Sequence, residues 1–122
     1  MNCELGSLYL CVRDMDRAVR FYEDFFERRV TERDEIYSIF VIGGFRLGLF
    51  AFERVGEEHS FGSNCLPSVS VDSVETLRRK VKGLRLCFPL PRIKENWVAE
   101  FVDSEGNHVE VTAPIREGGG EE

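Results

Sequence analysis

The sequence lacks the long apolar runs that would place a chain in a membrane. A transmembrane helix needs about 20 consecutive apolar residues, and no stretch of the 122-residue chain approaches that length. Met1–Gly6 has neither the basic nor the apolar character of a signal peptide. We therefore expect no membrane association and a cytoplasmic location.

An excess of positive charge is also missing. The chain carries 16 Lys and Arg residues against 22 Asp and Glu residues, which gives a formal net charge of −6. The Arg residues are interspersed with acidic ones, so no basic patch forms that could hold phosphate groups. This charge pattern disfavours nucleic acid as a partner and suits cationic or neutral molecules.

Paired cysteines are absent as well. Cys3, Cys11, Cys65 and Cys87 are scattered without any C-x-x-C spacing, which argues against a zinc knuckle or a dithiol redox centre. Reduced and partly buried thiols are the expectation for a cytoplasmic chain.

What the sequence does contain is a repeated alternation of apolar and polar residues. Hydrophobic residues make up 43% of the chain, enough to bury a core and to argue against disorder. Alternation over four to eight residues is typical of half-buried strands. It predicts strands at Leu5–Val12, at two places within Arg28–Ile42, and at Phe45–Phe52, Leu66–Val71, Leu84–Leu90, Trp97–Asp103 and His108–Ala113.

Two helices are predicted between these strands. Asp14 can cap a helix over Met15–Glu27, in which apolar residues recur at helical spacing. Asp72 and Glu75 have the spacing of a capping box, and they open a second helix over Val74–Lys82.

The two halves of the chain repeat one order of elements: strand, helix, strand, strand, strand. Gly44–Ala51 aligns with Gly106–Ala113 in this repeat, which indicates a duplication. The prediction is an α+β fold of two βαβββ modules, whose curved mixed sheets form a concave cavity. The modules span residues 1–52 and 66–114, with a connector at 53–65 and a disordered acidic tail at 115–122.

The two faces of the predicted strands differ in character. Apolar residues lie on the side expected to contact the helices, for example Leu47, Leu49, Val109 and Val111. The other side mixes small, aromatic and polar groups, which suits a pocket better than open water. The stretch Phe101–Ala113 combines a strand pattern, a turn and, in Glu110, the only carboxylate that looks buried.

Two stretches resemble the signatures of the vicinal oxygen chelate superfamily, which includes glyoxalase I, extradiol dioxygenases and bleomycin-resistance proteins. They are Val12–Tyr22, with the pattern D-x-D-R-A-x-x-F-Y, and Phe101–Glu110, with the pattern D-x-x-G-N-x-x-E. The resemblance covers nearly the whole chain and implies the two-module fold. It also implies a homodimer, which would cover exposed sheet edges.

In metal-dependent members of that superfamily, each module supplies two metal ligands, from its first and last strands. Carried over by position, these sites fall on Ser7, Gly48, Leu66 and Glu110. Gly48 and Leu66 have no donor side chain, Ser7 offers a weak one, and a single carboxylate does not hold a catalytic metal. We therefore expect no bound metal, no cofactor and no catalytic residue, with Glu110 as the only retained ligand position.

A rearranged metal site is the alternative to this expectation. His108 lies two residues from Glu110 on the same predicted face and could supply a second ligand, with Cys65 or Cys11 as a distant third. Such a site would make the chain a metal-dependent lyase, isomerase or dioxygenase. A lone His beside a cavity is more often a hydrogen-bonding group.

The leading hypothesis is a metal-free protein that binds a small molecule, as bleomycin-resistance members do, for sequestration of a drug or metabolite. Aromatic walls beside an acidic residue suit a planar or cationic ligand. A structural or partner-binding domain, with its cavity filled by its own side chains, is the third hypothesis. The candidate ligand-binding residues are Ser7, Tyr9, Arg46, Phe50, Phe52, Ser68, Trp97, His108 and Glu110, of which Tyr9, Phe50, Phe52 and Trp97 form the walls.

Two roles are open for Glu110. A bidentate pair with Arg46 across the pocket would make the carboxylate structural. Without that pair, Glu110 would anchor a cationic or hydrogen-bond-donating ligand, and this is the role that we favour.

Overall fold

The computed structural model describes residues 1–61, 65–87, 92–93 and 95–115. The chain divides into two compact units, Met1–Phe61 and Gly62–Glu122, and each has its own sheet and helix. Among the described residues, no helix combines the length and the apolar character that crossing a bilayer requires.

The first unit contains a three-stranded sheet and one α-helix. Its elements are β1 (Leu8–Cys11), α1 (Met15–Phe26), β2 (Tyr37–Ile42), β3 (Phe45–Phe50) and a short 3-10 helix (Phe52–Val55). The central strand is β3, which runs parallel to β1 and antiparallel to β2.

The hairpin between β2 and β3 depends on Gly43 and Gly44, whose φ angles are 56° and 82°. A two-residue turn with positive φ matches the twist of the flanking strands, and glycine adopts it without a steric cost. The register that this turn imposes places Tyr37 opposite Phe50 at the other end of the hairpin.

The prediction of two strands within Arg28–Ile42 is wrong. Only β2 forms a strand, and the earlier part contributes a single isolated bridge at Glu32. The cause is local, because the Asp34 carboxylate accepts hydrogen bonds from the backbone N–H groups of Ile36 and Tyr37, at 2.9 and 3.1 Å. These bonds turn the chain just before β2, and they lower the pKa of Asp34.

Helix α1 agrees with its predicted bounds to within one residue. Its N-cap is Asp14, whose Oδ1 accepts a hydrogen bond from the N–H of Arg17 at 3.0 Å, and this bond lowers the pKa of Asp14. The helix ends at Phe26 because Glu27 adopts a left-handed backbone conformation. The buried side chains of α1 are Met15, Ala18, Val19, Tyr22 and Phe25.

The second unit contains the larger sheet. Its elements are β4 (Ser68–Ser70), α2 (Val74–Val81), β5 (Arg85–Leu86), β6 (Arg92–Ile93), β7 (Asn96–Val102) and β8 (His108–Pro114). The strand order is β4-β8-β7-β5, and β6 also pairs with β7. β4 runs parallel to β8, while the other pairs are antiparallel.

Two predictions in the second unit need correction. The cap of α2 is Ser73, whose Oγ accepts from the N–H of Thr76 at 3.1 Å, so the predicted cap at Asp72 is one residue early. Within the predicted strand Leu84–Leu90, the structure describes a strand only at β5. Residues 88–90 of that prediction lie outside the described part of the chain. The sequence did not predict β6.

The predicted connector and tail are only partly described. The connector at 53–65 begins inside the 3-10 helix, and its residues 62–64 lie outside the described residues. The same holds for residues 116–122 of the predicted acidic tail.

The predicted division of each sheet into two faces is confirmed by burial. On the side facing the helices, Leu49 and Val111 have no exposed surface, and neither do Phe40 in β2 and Phe101 in β7. Side chains on the other face are mostly half-buried or exposed. The helix-side faces therefore hold the cores, and the opposite faces keep the more exposed side chains.

Candidate functional site

Strand register brings three aromatic side chains together on the sheet face of the first unit that points away from α1. Tyr9 lies opposite Gly48, and Phe50 lies between Cys11 on β1 and Tyr37 on β2. Directly opposed residues point to the same side of a sheet. We call Tyr9, Tyr37 and Phe50 the aromatic face.

The rings of the aromatic face contact one another in sequence. Tyr37 and Phe50 stack with centroids 4.8 Å apart and ring planes 5° from parallel. Tyr9 meets Tyr37 edge to face at 5.5 Å. Tyr9 and Tyr37 are still 42% and 46% exposed, so the face offers apolar ring surface with phenol groups to an incoming planar molecule.

Gly48 lets the Tyr9 ring lie against the sheet. A Cβ at position 48 would come within 3.0 Å of ring carbons of Tyr9, a separation that real Cβ atoms do not show. Glycine at this position is therefore a requirement of the observed Tyr9 conformation. The position that the resemblance assigns to a metal ligand is here covered by an aromatic ring.

Phe52 does not belong to the aromatic face. It was predicted in a strand and as a pocket wall, but β3 ends at Phe50 and Phe52 opens the 3-10 helix, where it is only 3% exposed. Its ring contacts those of His59 and Phe61, at 5.4 and 5.9 Å. The predicted strand position of Phe52 is wrong, because the backbone leaves the strand at Ala51, while its predicted role as a pocket wall stays a prediction.

An acidic depression borders the aromatic face. His59, whose ring lies 6.0 Å from that of Phe50, connects the two surfaces, and it pairs with Glu57 at 2.8 Å. The pKa of the Cys11 thiol, which lies opposite Phe50, is raised by burial and then by the negative charge of Glu57. The open depression has a volume of about 490 Å³ and is lined by Arg13, Phe52, Glu53, Gly56, Glu57, Glu58 and His59.

The structure also describes three further residues that the sequence placed at the site. Ser7 is half-buried just before β1, and Leu66 is exposed before β4. Arg46 on β3 forms an exposed ion pair with Glu32 at 3.8 Å. The predicted pair of Arg46 with Glu110 would join the two units and stays a prediction.

The sheet face of the second unit that points away from α2 is polar. Ser68 on β4 lies opposite Glu110 on β8, which lies opposite Glu100 on β7. The Ser68 hydroxyl donates a hydrogen bond of 2.6 Å to Oε1 of Glu110. We call Ser68, Glu100, His108 and Glu110 the polar face.

Glu110 is half-buried, and the expectation that it is the only buried-looking carboxylate is wrong. Asp103 and Glu105, in the turn between β7 and β8, are more deeply buried. Asp103 Oδ1 accepts the backbone N–H groups of Glu105 and Asn107 at 2.8 and 2.9 Å. These bonds close the turn and so fix where β8 begins.

His108 sits in a cluster with two residues that the sequence did not single out. Its Nδ1 lies 2.7 Å from Oε2 of Glu100 and 3.4 Å from Sγ of Cys87. Cys87 follows β5, and its backbone N–H donates to the carbonyl oxygen of Glu100 at 2.8 Å. Burial raises the pKa of the Cys87 thiol, and a hydrogen bond to the Glu100 carboxylate raises it further.

Trp97 lies on the opposite face from the polar residues, so its predicted place as a cavity wall is wrong. In the β7–β8 ladder it opposes Ala113, which is fully buried on the helix side. The guanidinium of Arg78, on α2, lies 5.6 Å from the centre of its ring. Successive side chains of a strand point to opposite faces of the sheet. Because Glu100 and Trp97 are an odd number of residues apart on β7, Trp97 lies on the face opposite that of Glu100.

The pairing of two strands across a short turn could have predicted two of the missed residues, Tyr37 and Glu100. Counting back from the two-glycine turn puts Tyr37 opposite Phe50. Counting away from the turn after Asp103 puts Glu100 opposite Glu110. Cys87 could not be reached in this way, since its strand is not joined to β7 by a short turn.

Comparison with protein families gives one match. The model of the Glyoxalase/Bleomycin resistance protein/Dioxygenase superfamily matches residues 4–86. No curated protein matches the chain significantly.

Solved structures with the same fold cover nearly the whole chain. A lactoylglutathione lyase from Agrobacterium tumefaciens is 18% identical with a TM-score of 0.73, over 92% of this chain and 94% of that one. A glyoxalase/bleomycin resistance protein/dioxygenase family enzyme from Burkholderia phytofirmans PsJN is 20% identical with a TM-score of 0.74, over 93% and 100%. At such identities the similarity concerns the fold alone.

Proposed function

Because the chain belongs to the Glyoxalase/Bleomycin resistance protein/Dioxygenase superfamily, we propose that it binds a small planar cation on the aromatic face. The observation that carries this proposal is the exposed stack of Tyr37 and Phe50 with Tyr9 against its edge. Aromatic side chains left this exposed offer ready stacking surface.

The charge of the neighbouring depression supports a cationic ligand. Among the described residues that line it, three are glutamates, Glu53, Glu57 and Glu58, and one is an arginine, Arg13, so their summed formal charge is negative. A cation held over aromatic rings gains from the electron-rich ring faces as well as from the carboxylates. A planar cation would satisfy both features at once.

This binding needs no metal at the four family ligand positions. Gly48 lies under the Tyr9 ring, and Leu66 has no donor atom. We therefore propose that the chain does not share the activity of the A. tumefaciens lactoylglutathione lyase. An assay of that activity, with and without added nickel or zinc, should give no turnover, and turnover that depends on Glu110 would contradict the proposal.

Titration with proflavine, a planar aromatic cation, tests the binding proposal. Phe50→Leu and Tyr37→Leu should each weaken binding by about 0.5–1.5 kcal/mol, the typical value of an aromatic pair beyond its area. Phe45→Leu is the matched control, because Phe45 is exposed on the same strand but on its other face. Equal losses from Phe45 and Phe50, or equal affinity for the non-planar cation tetraethylammonium, would refute a stacking site.

The second candidate is the metal-dependent lyase, isomerase or dioxygenase with a rearranged site. The observation that favours it is the cluster of Cys87, Glu100 and His108, whose ligand atoms lie within 4.8 Å of one another. Turnover of a vicinal oxygen substrate that requires added metal and His108 would support this candidate over simple binding.

Assembly and location belong to the same proposal. We propose a cytoplasmic homodimer that sequesters a metabolite or drug, in which a partner copy covers edge strands such as β1 and β4. Light scattering at micromolar concentration should give twice the mass of the 14.0 kDa chain. A monomer mass would exclude this part of the proposal.

A further inference from the structure

We propose that Cys87, Glu100 and His108 form a binding site for one divalent ion of the zinc class. The site lies within the second unit and uses none of the four positions carried over from the family resemblance. It departs from the expectation of a metal-free chain, which considered Cys87 only through the spacing of the cysteines in the sequence and did not consider Glu100. It also does not depend on the aromatic face, which belongs to the first unit.

The spacing of the three donor atoms fits tetrahedral zinc. With Zn–S near 2.3 Å and Zn–N near 2.0–2.1 Å, sulfur and nitrogen ligands of one ion lie about 3.5 Å apart. The Sγ of Cys87 and the Nδ1 of His108 are 3.4 Å apart. The carboxylate of Glu100, now 2.7 Å from the same nitrogen, would withdraw by less than an ångström, to about 3.4 Å.

The donor types select the ion. A thiolate, an imidazole and a carboxylate together suit zinc, whereas magnesium and calcium take oxygen ligands. Three protein ligands leave one tetrahedral position for water or a substrate atom, as in catalytic zinc sites. The side chains of Glu100 and His108 are 16% and 26% exposed and Cys87 is exposed, so an ion can enter.

The backbone holds the three residues in place before any ion binds. Cys87 is tied to Glu100 by a backbone hydrogen bond of 2.8 Å, and Glu100 lies in the middle of β7. His108 is the first residue of β8 and follows the turn that Asp103 closes. Ligands on such elements lose little conformational freedom on binding, which favours affinity.

A hydrogen-bonded triad without a metal is the competing interpretation. In that case Cys87, Glu100 and His108 would share protons, and zinc would bind no better than it binds to scattered surface groups. The two interpretations differ in stoichiometry, in the presence of a sulfur–metal bond, and in the response to substitutions elsewhere. Each of these differences can be measured on the full chain.

The primary experiment is titration of the chelator-treated full chain with zinc and with cobalt(II), in a thiol-free reductant. We expect one equivalent of either ion, and a sulfur-to-cobalt charge-transfer band in the cobalt protein. Cys87→Ser and His108→Gln should each weaken zinc binding by more than about a hundredfold, since groups that merely support a ligand already change affinity 10–100-fold.

The chain supplies matched controls for both variants. Cys65→Ser removes another exposed cysteine of the same unit, and His59→Gln removes the only other histidine. Both should leave zinc affinity unchanged. Equal losses in variants and controls, or saturable binding that survives Cys87→Ser combined with His108→Gln, would overturn the proposal.

A second measurement uses the unaltered chain, so it does not depend on the folding of a variant. Zinc should slow alkylation of Cys87 at least tenfold, as followed by mass spectrometry of its peptide, because a coordinated thiolate is a poorer nucleophile. Alkylation of Cys65 should not change. Equal rates at Cys87 with and without one equivalent of zinc would overturn the proposal.

Discussion

In the first unit, the sheet face that points away from the helix carries Tyr9, Tyr37 and Phe50, whereas in the second it carries Ser68, Glu100, His108 and Glu110. The helix-side faces are alike, since both are closed by buried aliphatic and aromatic residues. Both units thus build their core from one helix on one face of a sheet, while the residues on the other face differ. The first unit presents contacting aromatic rings on that face, and the second presents ionisable and hydroxyl groups.

The shared cores should respond alike to truncation, and this is the largest effect that we expect. Phe40→Ala in the first unit and Phe101→Ala in the second each remove a ring with no exposed surface. Each should cost about 3–5 kcal/mol of unfolding free energy, measured by urea denaturation. A cost below about 1 kcal/mol for one of them would show that the two cores are not equivalent.

The two hairpins should differ in sensitivity. Asp103→Ala leaves two buried backbone N–H groups without their carboxylate acceptor and should cost about 2–3 kcal/mol. Gly44→Ala forces an L-residue to a φ of 82° and should cost about 1–2 kcal/mol. Gly6→Ala, with open space around it, is the neutral control in the same denaturation experiment, and the reverse order of the two costs would contradict this account.

The polar face should contribute charge rather than stability. Glu110→Gln keeps an oxygen for the Ser68 hydroxyl and removes only the charge of a half-buried side chain, so the melting temperature should hardly change. A large fall in melting temperature would show that the charge of Glu110 itself stabilises the second unit.

The smallest predicted difference concerns the two helix caps. Ser73→Ala should cost about 1 kcal/mol at any pH, because a hydroxyl does not titrate in this range. Asp14→Ala should cost less in acid than at neutral pH. The folded-state pKa of Asp14 is lowered by the N–H of Arg17, so its contribution is present above the unfolded pKa and is lost as the pH falls through the folded one.

Denaturation of both cap variants at neutral and acidic pH checks this difference. A pH-independent cost for Asp14→Ala would mean that its carboxylate adds nothing through charge. A pH-dependent cost for Ser73→Ala would point to a titrating neighbour.

The sequence predicted the fold well because alternation and helical periodicity are local patterns. The two mixed sheets, each with a helix, and the buried sides of Leu49 and Val111 follow from these local patterns. The predicted βαβββ count does not hold in either unit, since the described residues form three strands in the first and five in the second. The strand position of Phe52 and the sheet face of Trp97 were predicted wrongly for the same reason. Alternation does not tell where a strand ends or which residues of a neighbouring strand share its face. Phe52 lies beyond the end of β3, and Trp97 is out of phase with Glu100.

The candidate sites were predicted only in part, because they depend on pairing between strands. Tyr37 joins the aromatic face through β2–β3 register, and Glu100 joins the polar face through β7–β8 register. Cys87 lies near His108 because β5 pairs with β7 and β7 pairs with β8. No pattern within one stretch of sequence contains that information.

The contact of Tyr9 with Gly48 makes two positions interdependent under mutation. A carboxylate placed at position 48 alone would collide with the ring, and removing the ring alone would open a gap without adding a donor. Gly48→Glu should therefore be tolerated better after Tyr9→Ala than before it, and a double-mutant cycle can measure this interaction energy. A descendant of this chain could regain a ligand at position 48 most easily by first giving up the aromatic ring, so the order of substitutions is constrained by one steric contact.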